Sequence, residues 1–242
     1  MRLAAAAPER VAPGVWLIRG GLTRAMNVFL LEEPDGGVTA FDAGEKGMAA
    51  PIAAAAAPLG GLRRVVLGHA DTDHRGAAPA LSAMAPVLCH PDAVAEAEGS
   101  GGRSYWRMNQ LPAYVRVAHG LLHAHVWDGG PVRIAGTVAA GDDVAGFRVV
   151  ELAGHAPGLI ALWREADRLG LASDVFYMTS LVGRRTEPHV PPDAYNLDTD
   201  RARESIRRLA ALEPATVWPG HRGPLAGPGV AAALERAAVS AA

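Results

Sequence analysis

Two histidines and two aspartates fall within six positions, His69-Ala70-Asp71-Thr72-Asp73-His74. They follow the apolar run Val65-Val66-Leu67-Gly68 and precede Arg75-Gly76. Neutral imidazole and carboxylate are ligands for Zn²⁺ and for harder divalent cations. A strand that ends in such a cluster delivers side chains to a shared partner, because carboxylates are seldom buried unpaired. The competing reading is a polar turn in which Asp71 or Asp73 caps a helix beginning after Gly76. Other polar residues stand at strand ends elsewhere in the chain. Asp42 closes Val38-Thr39-Ala40-Phe41 and opens the turn Asp42-Ala43-Gly44. His155 follows Val149–Leu152 in Ala153-Gly154-His155-Ala156-Pro157-Gly158. Asp174 ends the run Gly170–Ser173, and His221 follows Val217-Trp218-Pro219-Gly220. Taken singly, Asp42 reads equally well as a turn-forming residue, and a strand-end Asp such as Asp174 is common.

The elements that position these residues are short and apolar. Strands are expected at 15–18, 26–31, 38–42, 64–67, 87–89, 160–163, 168–172 and 214–218, with Pro34-Asp35-Gly36-Gly37 as a hairpin turn. Residues 132–134 and 141–152 read as a further hairpin. Helices are expected at 46–58, 76–84, 200–212 and 229–239, with Ile206, Leu209 and Leu212 forming the apolar stripe of the third. The helix at 76–84 would turn its positive N-terminal end toward the cluster. Cys89 and His90 read as core and strand-end packing.

A glycine-rich break at 99–102 opens a segment holding Tyr105, Trp106, Met108, Tyr114, His119, His123, His125 and Trp127. It reads as a helical insertion at about 99–127 that covers the site, with Tyr105, Trp106 and Tyr114 as pocket residues; the alternative is an ordinary surface helix. His119 and His123 have i,i+4 spacing, but no acid follows as in His-Glu-x-x-His. Residues 177–196 read as a long loop, with His189 as a candidate substrate contact.

The chain has 242 residues, half of them hydrophobic, and a net charge of -2. That is enough for one large domain spanning 1–242, and it gives no electrostatic case for nucleic acid. Cys89 is the single cysteine, which excludes an intrachain disulfide and a Cys-based zinc site. Residues 1–13 lack the apolar core of a signal peptide, and no stretch is apolar enough to span a membrane. The expectation is a cytoplasmic protein acting on a small molecule, with a homodimer as one arrangement.

Taken in order, these motifs resemble those of the metallo-β-lactamase fold hydrolases: His-x-His-x-Asp-His, Gly-His-Thr-Pro-Gly-His, Gly-Asp and a closing Gly-His. The resemblance runs from Asn27 to Gly223. It departs at Asp71, which stands where the second His is usual, and at Leu159, which replaces a His that is not a ligand. It implies an α+β fold, a four-layer αβ/βα sandwich of two mixed sheets flanked by helices. It also implies two divalent metals. One would take His69, Asp71 and His155, and the other Asp73, His74 and His221, with Asp174 bridging them and Asp42 supporting from behind. Zinc comes first, and the hard oxygen of Asp71 adds weight to iron or manganese; flavodiiron oxygen reductases of this fold carry Glu at that position. A bound metal lowers the pKa of its water from about 15.7 to about 7, so hydroxide would attack a carbonyl, with Asp73 orienting it. The resemblance is to the glyoxalase II and lactonase-like branch, implying a small ester, lactone or thioester ahead of a β-lactam. A di-iron redox protein and a metal-poor binding protein are the alternatives.

Overall fold

In the computed structural model, residues 7–21, 24–180 and 184–241 are described. The first sheet takes seven strands in chain order: β1 (Glu9–Ala12), β2 (Val15–Gly20), β3 (Met26–Glu32), β4 (Val38–Phe41), β5 (Leu62–Val66), β6 (Val87–Cys89) and β7 (Gly136–Thr137). β1 to β4 pair antiparallel and β4 to β7 parallel. The parallel crossovers carry α1 (Ala49–Ala56), α2 (Thr72–Arg75), α3 (Ala78–Leu81), α4 (Val94–Ala97) and α5 (Ala113–Leu122). The second sheet comprises β8 (Asp143–Val144), β9 (Phe147–Glu151), β10 (Ile160–Arg164) and β11 (Leu169–Ser173). Beyond the ribbon of β12 (Tyr177–Thr179) and β13 (Arg185–His189) it continues with β14 (Thr216–Pro219) and β15 (Leu225–Ala226). Its order is β15-β14-β11-β10-β9-β8, with β11 and β14 parallel. Two longer helices, α6 (Thr199–Ala210) and α7 (Val230–Ala238), pack on its outer face.

Alternation along the strands explains the layering. In β3, Val28 and Leu30 face the helices Ile52 and Leu81 belong to, while Phe29 and Leu31 face the second sheet. In β10, Ala161 joins the layer with Ile206 of α6 and Leu234 of α7, while Ile160 and Leu162 meet Phe29, Phe41 and Trp218 between the sheets. Both faces of each sheet are therefore apolar, and four layers follow. Phe29 is 2% exposed and meets Trp218 edge-on at 5.9 Å; truncating it to Ala would cost about 3–5 kcal/mol.

Three expectations need correction. The helix behind the cluster begins at Thr72, inside the motif, and breaks into α2 and α3 around Gly76. A Cβ at Gly76 would lie 2.1 Å from the Trp127 carbonyl, so the chain bends where the return of the 99–127 segment docks. Residues 132–134 form no strand, and the short β7 joins the edge of the first sheet; the hairpin is β8 with β9 alone. The expected loop at 177–196 contains the β12–β13 ribbon.

Candidate metal centre

The ends of β4, β5, β9, β11 and β14 open at one edge between the sheets, and each contributes a polar side chain there. Backbone strain marks the spot: Asp42 (φ 62°), Ser173 (φ 45°) and Arg222 (φ 65°) all hold left-handed conformations rare for residues with a Cβ. Asn27 on β3 holds the last of these turns. Its amide nitrogen donates to the carbonyls of Pro219 (2.8 Å) and Arg222 (2.6 Å), which fixes the loop bearing His221. Gly220 is there because space is absent: a Cβ would come within 2.3 Å of Asp174 Oδ1 and 2.4 Å of the His74 ring. Gly154 (φ 144°) answers a similar demand, since its Cβ would lie 2.2 Å from the Ala202 amide of α6.

The seven sequence-derived candidates converge. His69, Asp71 and His155 offer ligand atoms that all lie within 4.8 Å of one another, and so do Asp73, His74 and His221. Asp71 Oδ2 is 3.5 Å from His155 Nε2 and 3.7 Å from His69 Nε2. His221 Nε2 is 3.3 Å from Asp73 Oδ2 and from His74 Nε2. Asp174 Oδ2 lies between the groups, 3.3 Å from His74 Nε2, 3.5 Å from His221 Nε2 and 3.9 Å from His155 Nε2.

A second ring of groups sets which imidazole nitrogen faces inward. Asp42 accepts the His74 Nδ1 proton at 2.9 Å and also accepts from the Gly68 amide (2.7 Å) and the Ser173 hydroxyl (2.9 Å). Because the Ser173 proton goes to Asp42, its oxygen is left to accept from His69 Nδ1 at 3.0 Å. The Asn196 amide nitrogen donates to the Pro191 carbonyl (2.7 Å), so its oxygen accepts from His155 Nδ1 at 3.1 Å. With Nδ1 protonated in all three, each Nε2 presents a lone pair to the centre. His69 Nε2, His155 Nε2 and Asp174 Oδ1 are buried and have no hydrogen-bond partner. Polar atoms buried in that way are costly unless a cation engages them, so the donor set fits divalent metals.

Electrostatics agree. Burial pushes His74 down, but Asp174, Asp42 and Asp73 outweigh it and raise the imidazole well above its usual range. Burial likewise opposes a rise at His221, where Asp174 and Asp73 carry it to about 10. Burial would raise Asp174, yet His74 and His221 hold it well below the usual carboxylate range. His69, fully buried and flanked by His74, is pushed down by burial. Burial raises Asp71, with the nearby His155 imidazole and the Tyr105 hydroxyl opposing it. The carboxylates thus favour positive charge at this point, which a divalent cation would supply in place of the imidazole protons, leaving each Nε2 free to ligate.

The 99–127 segment reaches the centre through two of its three aromatic candidates. The Tyr105 hydroxyl donates to Asp71 Oδ1, and the Trp106 indole N–H donates to Asp71 Oδ2 at 3.2 Å. Glu96 anchors the turn that delivers them, accepting from the Gly102 amide (2.8 Å) and from the Ser100 and Ser104 hydroxyls. Buried Arg75 ties the same turn to the motif through the carbonyls of Glu96, Ala97 and Gly99. Tyr114 is a correction: it is 73% exposed on the far side of α5, because Val115 and His119 occupy the buried phase of that helix. His189 packs edge-on against Tyr177 (6.2 Å), whose ring in turn meets those of His155 (5.8 Å) and His221 (5.9 Å), so it stands one ring away from the ligands. Sequence reasoning missed Ser173, Asn196 and Tyr177. Ser173 carried a signal, as the neighbour of Asp174 at a strand end; Asn196 carried none.

Comparison with known proteins places this architecture. A sequence model described as the Metallo-beta-lactamase superfamily matches residues 23–221. The probable metallo-hydrolase YflN of Bacillus subtilis (strain 168) is 38% identical over 80 residues, 31% of this chain and 30% of that protein. The match therefore spans less than a third of the relative's length. Among solved structures, a beta-lactamase domain protein from Burkholderia ambifaria superposes with a TM-score of 0.67 at 24% identity, covering 96% of this chain and 73% of the other. TTHA1623 in a di-iron-bound form superposes with a TM-score of 0.61 at 24% identity, covering 83% and 89%. These likenesses establish the fold.

Proposed function

We propose that this chain, which belongs to the metallo-beta-lactamase superfamily, is a metal-dependent hydrolase of small esters, lactones or thioesters with a binuclear centre. The observation that carries the reading is the pair of clusters, His69 with Asp71 and His155 and Asp73 with His74 and His221, in each of which the ligand atoms lie within 4.8 Å of one another, with His69 Nε2 and His155 Nε2 buried and unpartnered. His69, Asp71 and His155 would hold one cation and Asp73, His74 and His221 the other, with Asp174 placed between them. Bound divalent metals supply Lewis acidity and an acidified water. The chain itself supplies orientation. Asp42, Ser173 and Asn196 fix the imidazole tautomers, and Asp73 would align the attacking oxygen. Tyr177 packs on the rings of His155 and His221 and bounds the space a substrate would enter.

Zinc is the first expectation for the metal. A di-iron redox protein is the second reading, favoured by the hard carboxylate at Asp71 and by the di-iron form of TTHA1623. A cytoplasmic setting accords with the single, buried cysteine. The test is elemental analysis by mass spectrometry on protein purified without chelator or nickel resin, followed by ester, lactone and thioester assays. Two zinc per chain and turnover lost in His155→Ala would support the hydrolase. Two iron with a visible absorption band would favour redox chemistry, and a protein with no metal would overturn both.

A further inference from the structure

Beside the metal centre lies a cavity of about 490 Å³ walled by Arg103, Trp106, Arg116, His119 and His123. That volume suits a small organic ligand. Trp106 belongs to both places: its indole N–H is spent on Asp71 while its ring lines the cavity. The His119 ring meets Trp106 edge-on at 5.0 Å, and the His123 ring does so at 6.3 Å.

The wall carries uncompensated positive charge. Among the described residues the Arg103 guanidinium makes no hydrogen bond or ion pair, and the Arg116 guanidinium donates only to the Leu111 carbonyl at 3.1 Å. Asp128 approaches His123 Nε2 at 3.8 Å, but its other oxygen faces Arg75 at 3.4 Å. Each guanidinium is a planar fork of N–H donors that matches an oxyanion, and both of these line the one cavity. The geometry points to a subsite for an anionic group, a carboxylate or phosphate carried by the substrate away from its scissile bond and held by Arg103 and Arg116. As a statement about substrate it rests on the hydrolase reading; as a statement about binding it does not.

A matched ester pair tests it. Monophenyl glutarate and phenyl pentanoate have the same chain length and differ in a terminal carboxylate against a methyl. For the metal-loaded enzyme, the ratio of kcat/KM, glutarate over pentanoate, is expected to be about tenfold or more. It should fall toward one in the Arg103→Gln/Arg116→Gln double variant. A ratio near one in the unmodified enzyme, or a ratio unchanged in the double variant, overturns the subsite; equal losses on both esters leave the ratio unchanged and count against it. Calorimetric titration of the holoenzyme with glutarate and with inorganic phosphate separates the two claims and the two anions. If neither ester is cleaved but glutarate or phosphate binds and the double variant loses that binding, the subsite stands and the hydrolase reading falls. Absence of binding, or binding retained in the double variant, removes the subsite.

Discussion

Tyr105→Phe deletes one hydroxyl and leaves the ring, and it bears directly on how residue 71 is held. Asp71 is 4% exposed and has two protein donors, the Tyr105 hydroxyl on Oδ1 and the Trp106 indole on Oδ2. Loss of the first strands Oδ1 in a buried setting. Two effects compete. A carboxylate with fewer donors is more basic and a better ligand, but a short side chain freed on one side also loses the orientation that aims it between His69 and His155. A hydrogen bond to a charged group contributes about 1.5–3 kcal/mol, and lost outer partners weaken metal binding about 10–100-fold. Orientation should win, since the Tyr105 hydroxyl holds Oδ1 and thereby sets Oδ2 in place 3.5 Å from His155 Nε2. Competitive titration of zinc against a chromogenic chelator should therefore show one of two stepwise affinities weakened about tenfold or more, with the other nearly unchanged. Near-ultraviolet circular dichroism would check the fold. An unchanged or tightened first step would refute the orienting role, and equal weakening of both steps would mean that the whole edge had loosened.

Asp42→Asn removes the charge that receives the His74 Nδ1 proton and should lower stability in urea by about 3 kcal/mol; a loss under about 0.5 kcal/mol would show that Asp42 is a turn residue and little more. His119 is pushed down to about 4, by burial first and with His123 and Arg103 adding to it. It is therefore neutral in the fold and takes up its proton on unfolding. Its contribution is full above pH 6.5 and is lost as pH falls toward 4. The ceiling is about 3 kcal/mol, which access from the cavity reduces to about 1–2 kcal/mol. Unfolding midpoints at pH 7 and pH 5 should thus differ more in the unmodified protein than in His119→Gln, and equal differences would remove the assignment. The α5 stripe of Tyr114, Val117 and Leu121, exposed at 73%, 64% and 58%, is the surface a homodimer would cover. Leu121→Glu should then halve the light-scattering mass, and an unmodified protein that is already monomeric ends that expectation.

What the sequence made legible follows from period and position. Strand alternation in Val28–Leu31 or Ile160–Leu162 shows in the residues themselves because each face meets its own apolar layer. The ligands were legible because each ligand motif begins one to three residues beyond such a run, His69 after Leu67, His155 after Leu152, Asp174 after Ser173 and His221 after Trp218, so that folding the sheets brings them to one edge. Asp42 was ambiguous as a single residue and becomes specific only when His74 arrives from β5's far end. The helix start at Thr72 was hidden because Gly76 looks like a boundary, whereas the observed constraint is the Trp127 carbonyl, 51 positions away in sequence. β7 has two residues, too few for any period to show. In α5 the apolar positions 114, 117 and 121 share one face, and that spacing alone suggests burial; the structure buries the opposite phase, with Val115 and His119. Asn196 could not have been found, because its role depends on where a Pro-rich turn sets its amide.

The departure at residue 71 and the 99–127 segment are best understood together. A histidine that ligates through Nε2 carries its proton on Nδ1, so it is a donor on the side away from the metal. The Trp106 indole is a donor only. Placed opposite such a histidine it would be left unpaired, and a buried unpaired donor costs about 1–3 kcal/mol. A carboxylate reverses the situation: it has acceptor capacity for a metal on one edge and for Trp106 and Tyr105 on the others. Asp is also shorter than His, and the two aromatic donors fill the space behind it while Glu96 and Arg75 pin the turn they come from. The same closure turns the Trp106 ring outward to form a wall of the cavity shared with Arg103 and Arg116. The carboxylate at residue 71 thus has its structural counterpart in the 99–127 segment, and through Trp106 the identity of a ligand is coupled to the shape of the neighbouring pocket.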